Sequence, residues 1–441
     1  METTATAFII LGASGDLTKR KIIPALARLF ERGFLPSGSI IVGSGRSSFT
    51  DEDFRNLFSV SADFSSRLFY HRGIGGLKHY VAGRGLFQRY IVFLSLPPAV
   101  YASTARELYE NGFRKDTSLI IEKPFGYDYN SAVMLDKELA RCYSERQIYR
   151  NDHYLAKEAV QNILVFRFAN QLFQPVWNAQ NIESIQISAT ETQGIGSRGP
   201  YFDKAGIIRD MAQNHLMQLI CLMTMEAPLS FRPEDVNAKK IELLRSLRIK
   251  RGYRYQYEGY REEKGISPQS ITETYAELEL SINNFRWSGM PVHLRCGKAL
   301  NRTGTEISVR FKTLPRILFN ENGGIPRNTI LFKIQPAEGI LINMSSKEPG
   351  NEIRLTATSM AFCYRDSFGG EIPEAYQKIL LDVIRGDHTL FVTAEETELL
   401  WKIVEPLVDK GDIIRYERGS MPPTALGISW TDFDKYSNVC A

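Results

Sequence analysis

The apolar run Ala7-Phe8-Ile9-Ile10-Leu11 ends in Gly12-Ala13-Ser14-Gly15-Asp16-Leu17, and from Ile22 to Phe30 apolar residues recur at helical spacing. This pattern of strand, glycine turn and helix constrains the chain more than any other feature. Glycine at such a turn lets a dinucleotide pyrophosphate approach the backbone N–H groups of the helix start, where a Cβ would block it. The spacing is GxxG rather than GxGxxG, and a tight turn between two core elements uses the same residues. Lys19-Arg20-Lys21 place three cations against the helix macrodipole, which points to a nearby anion or to a solvated face.

Further strands follow at the spacing of a parallel sheet. Ser39 to Gly43 reads as the second, and where an acidic residue would bond the 2′-hydroxyl of NAD the chain has Gly43-Ser44-Gly45-Arg46. A guanidinium can grip a 2′-phosphate through two parallel hydrogen bonds, so the expected cofactor is NADP. Tyr90 to Leu96 and Ser118 to Ile121 read as two more strands, the latter ending at Glu122-Lys123-Pro124-Phe125-Gly126. Ligands sit at the carboxyl ends of strands in open parallel sheets, so Lys123 is placed to touch cofactor and substrate, or is a surface lysine in a loop.

The second half changes character. Ile182–Thr190, Thr274–Ile282, Val292–Cys296, Ile307–Phe311, Thr329–Ile334 and Ile353–Thr358 read as strands broken by Gly, Asn and Pro turns, without βα alternation. With 441 residues, the expectation is two domains. A Rossmann-type α/β dinucleotide-binding domain, 1–151, precedes an α+β domain, 152–441, with a large, mainly antiparallel sheet. A composition of 43% hydrophobic and 24% charged residues with net charge +4 describes a soluble globular protein acting on a small anion, not a nucleic-acid binder. The five cysteines are scattered without metal-like spacing, so neither a metal site nor a disulfide framework is expected, and a cytoplasmic location fits. No stretch approaches 18 uninterrupted apolar residues, so no membrane association is expected.

Two segments concentrate chemistry. Tyr149-Arg150-Asn151-Asp152-His153-Tyr154-Leu155-Ala156-Lys157-Glu158 reads as a helix entry with Asn151 or Asp152 near the N-cap and His153 and Lys157 on one face. It is either a phosphate cradle or a capped start with solvated charges. Gly206 to Met225 is apolar at helical spacing yet carries Asp210, Asn214, His215 and Gln218. A single imidazole there is a hydrogen-bonded core residue or, beside a carboxylate, a general base.

Five collinear motifs, Gly12-Ala13-Ser14-Gly15-Asp16-Leu17 with Lys19-Arg20-Lys21, Glu122 to Gly126, Asp152 to Leu155 with Lys157-Glu158, Ile208-Arg209-Asp210 with Gln213-Asn214-His215, and Arg295-Cys296-Gly297-Lys298, span nearly the whole chain. In that order they resemble the glucose-6-phosphate dehydrogenase family. The resemblance implies oxidation of the C1 hydroxyl of glucose 6-phosphate to 6-phosphogluconolactone with hydride transfer to NADP, the first step of the oxidative pentose phosphate pathway. It implies His215 as base and Asp152 as its orienting partner. Lys21, Lys123, His153, Tyr154, Lys157, Glu191, Asp210, Lys298 and Gln335 fall at substrate positions. Gly12, Ser14, Gly15, Asp16, Leu17, Arg46, Tyr101 and Lys123 fall at cofactor positions. A homodimer or dimer of dimers is implied, and a cis peptide at Pro124.

The chain departs from the family at Asn151, usually isoleucine, and Ala156, usually glycine, and its segment between Asp51 and Tyr90 is short, as though one helical excursion were missing. The displaced basic residue at Arg302 and the end of the chain at Ala441 imply that the second, structural NADP site of animal members is absent. A dehydrogenase of a related sugar phosphate, and a non-catalytic NADP-binding sensor, are the competing readings.

Overall fold

The computed structural model describes residues 5–315, 317, 325–369, 372–408 and 412–440. They divide into two compact units: Met1–Ala156 with Pro228–Ala238 and Pro373–Glu398, and Lys157–Ala227 with Lys239–Ile372 and Leu399–Ala441.

The first unit is built on six strands: β1 (Thr6–Leu11), β2 (Ile40–Gly45), β3 (Leu68–Arg72), β4 (Arg89–Leu94), β5 (Thr117–Glu122) and β6 (Ile148–Asn151). All pair in parallel in the order β3-β2-β1-β4-β5-β6. β1 is buried at every residue because helices cover both faces of a doubly wound sheet. The strand order reverses between β1 and β4, which opens a crevice beyond their carboxyl ends. Gly12 stands at that point with φ +84°, and a Cβ on it would lie 2.0 Å from the Ser95 carbonyl oxygen, so both conformation and space require glycine. Helix Ala375–Arg385, from late in the sequence, buries Tyr376, Ile379, Leu380 and Val383 in the core that Phe8, Ile10, Ile23, Leu26 and Phe93 form.

The second unit holds β7 (Ile182–Thr190), β8 (Leu247–Tyr257), β9 (Tyr275–Ile282), β10 (Pro291–Gly297), β11 (Gly304–Phe311), β12 (Thr329–Gln335), β13 (Gly339–Lys347), β14 (Leu355–Cys363) and β15 (Ile413–Tyr416). They form one sheet in the order β14-β13-β12-β11-β7-β10-β9-β8-β15. Its pairs are antiparallel except β7 with β10 and β8 with β15. Helix Met217–Thr224 is buried all round. Its last carbonyls are satisfied by side chains: Arg167 donates to Leu222 and Met225 at 2.6 and 2.7 Å, and the indoles of Trp177 and Trp287 donate to Met223 and Thr224 at 2.8 and 2.6 Å. Burial lowers the Arg167 guanidinium to about 9.

Three expectations are corrected. Residues 149–151 belong to β6, and the helix begins only at Glu158 with Lys157 as its N-cap, so His153 and Lys157 do not share a helix face. Asp152 forms a turn instead, its Oδ1 accepting from the Tyr154 N–H at 3.0 Å and its carbonyl from the Leu155 N–H at 3.0 Å. Gly206 (φ 68°, ψ 170°) breaks the expected helix, and Ile208–Leu216 is π-helical. Cys363 and Cys440 form a disulfide, whereas none was expected from their spacing.

Candidate functional site

The first unit collects the expected cofactor positions around the crevice. Ser14, Asp16, Lys19, Arg20 and Lys21 are exposed in or beyond the Gly12–Leu17 turn, and Asp16 pairs with Arg20 at 2.7 Å. The turn is tied to β4 by the Thr18 hydroxyl, 3.2 Å from the Gly12 carbonyl and 3.3 Å from Ser95 Oγ. Arg46 is exposed just past β2, with no carboxylate at the strand end to repel a phosphate. Tyr101 is buried at the start of helix Tyr101–Glu110, after β4. The donor set, glycine turn, exposed cations and unopposed Arg46, fits a phosphorylated dinucleotide.

Beyond the next two strand ends lie the expected substrate contacts of this unit. Lys123 begins the turn after β5 and forms a cis peptide with Pro124. Asp152 is buried after β6, and the His153 and Tyr154 rings lie 5.4 Å apart. Lys21 is 3.4 Å from Glu374. The partner of Asn151 was not anticipated: its Nδ2 donates to Glu122 Oε1 at 2.6 Å, and Tyr376 Oη donates to the same oxygen at 3.1 Å. Burial pushes the Glu122 carboxyl up to about 7 against both hydrogen bonds and the Lys123 charge, with Asp152 adding to the rise. The sequence carried only the two residue types, a carboxylate ending an apolar strand and an asparagine in an isoleucine position; that they stand opposite each other comes from β6.

In the second unit three of the remaining candidates, Glu191, Lys298 and Asp210, gather at the carboxyl ends of the parallel pair β7 and β10, where Thr190 and Gly297 form the last rung. The next residues, Glu191 and Lys298, make an ion pair at 2.6 Å. Asp210, Lys298 and Glu191 all bear electrostatically on the Cys296 thiol, which burial foremost pushes well up, so these three groups share one neighbourhood. The π-helical segment that carries Asp210 and His215 packs on β10. Its start is anchored by a buried pair, Arg254 and Glu273 at 3.0 Å, and Glu273 Oε1 accepts the Ile208 N–H at 3.1 Å. Asp210 also lies 3.5 Å from Arg198, a cation the motifs did not single out. His215 is buried, and its backbone N–H donates to Asn214 Oδ1 at 2.6 Å. Lys157 donates from Nζ to Gln335 Oε1. The N-terminus of helix Glu158–Phe168 already holds a protein carboxylate, since the Ala159 N–H donates to Glu338 Oε2 at 3.2 Å. An open anion cradle at that helix end is therefore not what the fold provides.

A doubly wound domain whose crevice fits a phosphorylated dinucleotide, in one chain with a sheet domain that presents a cluster of charged side chains at strand ends, is the build of a dinucleotide-dependent oxidoreductase. The model of the glucose-6-phosphate dehydrogenase NAD-binding domain matches residues 9–69 and 76–162, and that of its C-terminal domain matches residues 164–433. The chain belongs to the glucose-6-phosphate dehydrogenase family. A cytoplasmic glucose-6-phosphate 1-dehydrogenase of Arabidopsis thaliana is 37% identical over 96% of this chain and 90% of its own length. That of Chlamydia muridarum is 38% identical over 94% and 93%. A solved glucose-6-phosphate dehydrogenase in complex with its substrate glucose 6-phosphate aligns with TM-score 0.90 at 32% identity, covering 98% of this chain and 100% of that one. The Mycobacterium avium enzyme aligns with TM-score 0.86 at 31% identity, covering 96% of each.

Proposed function

We propose that this family member oxidises the C1 hydroxyl of glucose 6-phosphate to 6-phosphogluconolactone with NADP as oxidant, and that His215 is the base. The observation that carries the assignment of His215 is its burial on a π-helical segment packed against β10, with Asp210 on the same segment sharing a neighbourhood with Glu191 and Lys298. NADP, when bound, supplies the acceptor for the hydride that leaves C1; Gly12, Ser14, Gly15, Asp16, Leu17, Arg46, Tyr101 and Lys123 would hold it. The hydroxyl proton passes to the His215 imidazole as the C1–O bond becomes a carbonyl, and Asp152 orients the ring and stabilises the imidazolium. His153, Tyr154 and Lys157 take the sugar phosphate. Lys21, Lys123, Glu191, Asp210, Lys298 and Gln335 fix the sugar so that its C1 hydrogen is presented for transfer. The enzyme works in the cytoplasm as a homodimer or a dimer of dimers.

Replacing His215 by Asn keeps a neutral polar side chain and removes the base. We expect kcat to fall by about 10²–10⁴-fold, with glucose 6-phosphate binding, followed by isothermal titration calorimetry, nearly unchanged. Turnover at the wild-type rate would remove His215 from this role. A related sugar phosphate is the second reading, favoured by the Asn151 bond to Glu122 and by the buried methyl of Ala156. Negligible turnover of glucose 6-phosphate beside rapid turnover of its 2-amino analogue would select it.

A further inference from the structure

β5 and β6 run side by side, and their last register partners are Glu122 and Asn151. The residue after each is one to which the proposed function assigns a role: Lys123 follows Glu122, and Asp152 follows Asn151. Beyond that rung the strands have left the ladder. Asp152 has turned its backbone toward Leu155. Parallel strands are held about 4.8 Å apart only while the ladder lasts, so the spacing of the two residues beyond it depends on what ties the strand ends.

The tie here is made of side chains. Asn151 Nδ2 lies 2.6 Å from Glu122 Oε1, and Tyr376 Oη reaches the same oxygen at 3.1 Å from helix Ala375–Arg385. Asn151 is buried. An isoleucine in its place could pack beside Glu122 but could not donate to it. We propose that Glu122 and Asn151, braced by Tyr376, are positioning residues that latch the ends of β5 and β6 and so set where Lys123 and Asp152 stand during catalysis. The inference rests on the roles given to those two residues under the proposed function and deepens that reading.

The latch is tightest when Glu122 is ionised, because two donors then meet a charged acceptor. The groups bearing on it are Lys123 on its own strand end, which favours the ionised form, Asp152 beyond β6, which opposes it, and the neutral donors Asn151 and Tyr376. Removing either donor must make ionisation harder, so the pH at which the latch closes must rise.

The test compares Asn151→Leu, Tyr376→Phe and Glu122→Gln with the wild-type enzyme, measuring kcat and KM for glucose 6-phosphate from pH 5.5 to 9 and thermal melting in parallel. In Asn151→Leu and Tyr376→Phe the acid limb of kcat should move upward by on the order of half to one pH unit. At pH 7, kcat should fall by about tenfold for Asn151→Leu, with KM changed less than about threefold. Glu122→Gln, which cannot ionise, should lose the part of that limb that Glu122 gives and keep the part that the base gives. Variants that melt earlier yet keep the wild-type pH profile and kcat would show a purely structural bond and overturn the proposal, as would variants indistinguishable from wild type in every measurement. Should Asn151→Leu fail to fold, Tyr376→Phe, which loses one oxygen, decides by the same criteria. A wild-type enzyme inactive on glucose 6-phosphate would overturn the underlying reading itself, a result separate from any variant's behaviour.

Discussion

Arg46 stands exposed past the end of β2 with glycine before it and serines after it, and its proposed role is to grip the 2′-phosphate that distinguishes NADP from NAD. A charge-assisted pair of hydrogen bonds to a 2′-phosphate contributes roughly 1.5–3 kcal/mol. Arg46→Ala should therefore raise the KM for NADP by about 10- to 100-fold and leave that for NAD nearly unchanged in initial-rate assays; equal effects on both would contradict the assignment. Glu122 carries a different residue-scale consequence. Its folded-state carboxyl is raised from 4.5 to about 7, so the folded protein holds a proton there that the unfolded chain has released. Its contribution to stability thus declines as pH rises from about 4.5 to 7, and above that the cost of the buried charge is borne in full. Glu122→Gln resembles the protonated acid, so it should raise the urea midpoint at pH 8 and bring little or no gain at pH 5. The reverse order would mean that the two donors outweigh desolvation.

At the scale of elements, Gly206 joins helix Gly199–Ile207 to the π-helical segment that carries Asp210 and His215. Its φ of +68° suits glycine, and an added Cβ would stand 2.3 Å from Glu273 Oε1, the atom that accepts the Ile208 N–H. Gly206→Ala must either strain the backbone or push Glu273 off both Ile208 and Arg254. A cost of about 3–5 kcal/mol is expected from disturbing such a buried pair, with kcat falling alongside the chemical denaturation midpoint. An unchanged midpoint would show that the junction relaxes freely. The elements most legible in the sequence were those whose burial matches their composition: β1, β7, β9 and β12 are apolar runs or alternations bounded by turn residues. β6 was hidden because Arg150, only 1% exposed, looks like a surface residue until Asp136 and Glu145 are seen to neutralise it at 2.6 and 2.7 Å. β8 was hidden because Arg248, Lys250, Arg251 and Arg254 interrupt its apolar pattern, while Glu279 and Glu273 answer two of those charges from across the sheet or beside it. The candidate site was legible as residue types in collinear motifs. Its pairings, Asp210 with Arg198, Lys157 with Gln335 and Glu122 with Asn151, were not, since each joins side chains that only the tertiary fold brings together.

Across the whole chain, the last residues are part of the second unit's architecture. Glu277, fully buried on β9, accepts from the hydroxyls of Tyr255, Tyr275 and Thr424, the Ala425 N–H and the Trp430 indole, all between 2.9 and 3.1 Å, and so fixes where the terminal segment crosses the sheet. Farther on, Thr431 bonds Gln186 at 2.8 Å through its N–H, Phe433 packs on Leu331 and Leu341, and Lys333 donates to the carbonyls of Tyr436 and Val439. The segment ends in the disulfide from Cys440 to Cys363, the last residue of β14, at a sequence separation of 77. A crosslink closing a loop of that length removes chain entropy equivalent to about 4 kcal/mol in the polymer picture. Non-covalent contacts already hold the segment at several points, so the bond adds to an existing arrangement instead of creating one. Cys440→Ser should therefore lower the melting temperature of the oxidised protein, by roughly 8–16 °C for a unit of this size. Dithiothreitol should bring the wild type down to the same value while leaving the variant unmoved. Equal melting of variant and wild type under oxidising conditions would mean that the terminal segment is held by its hydrogen bonds and apolar contacts alone.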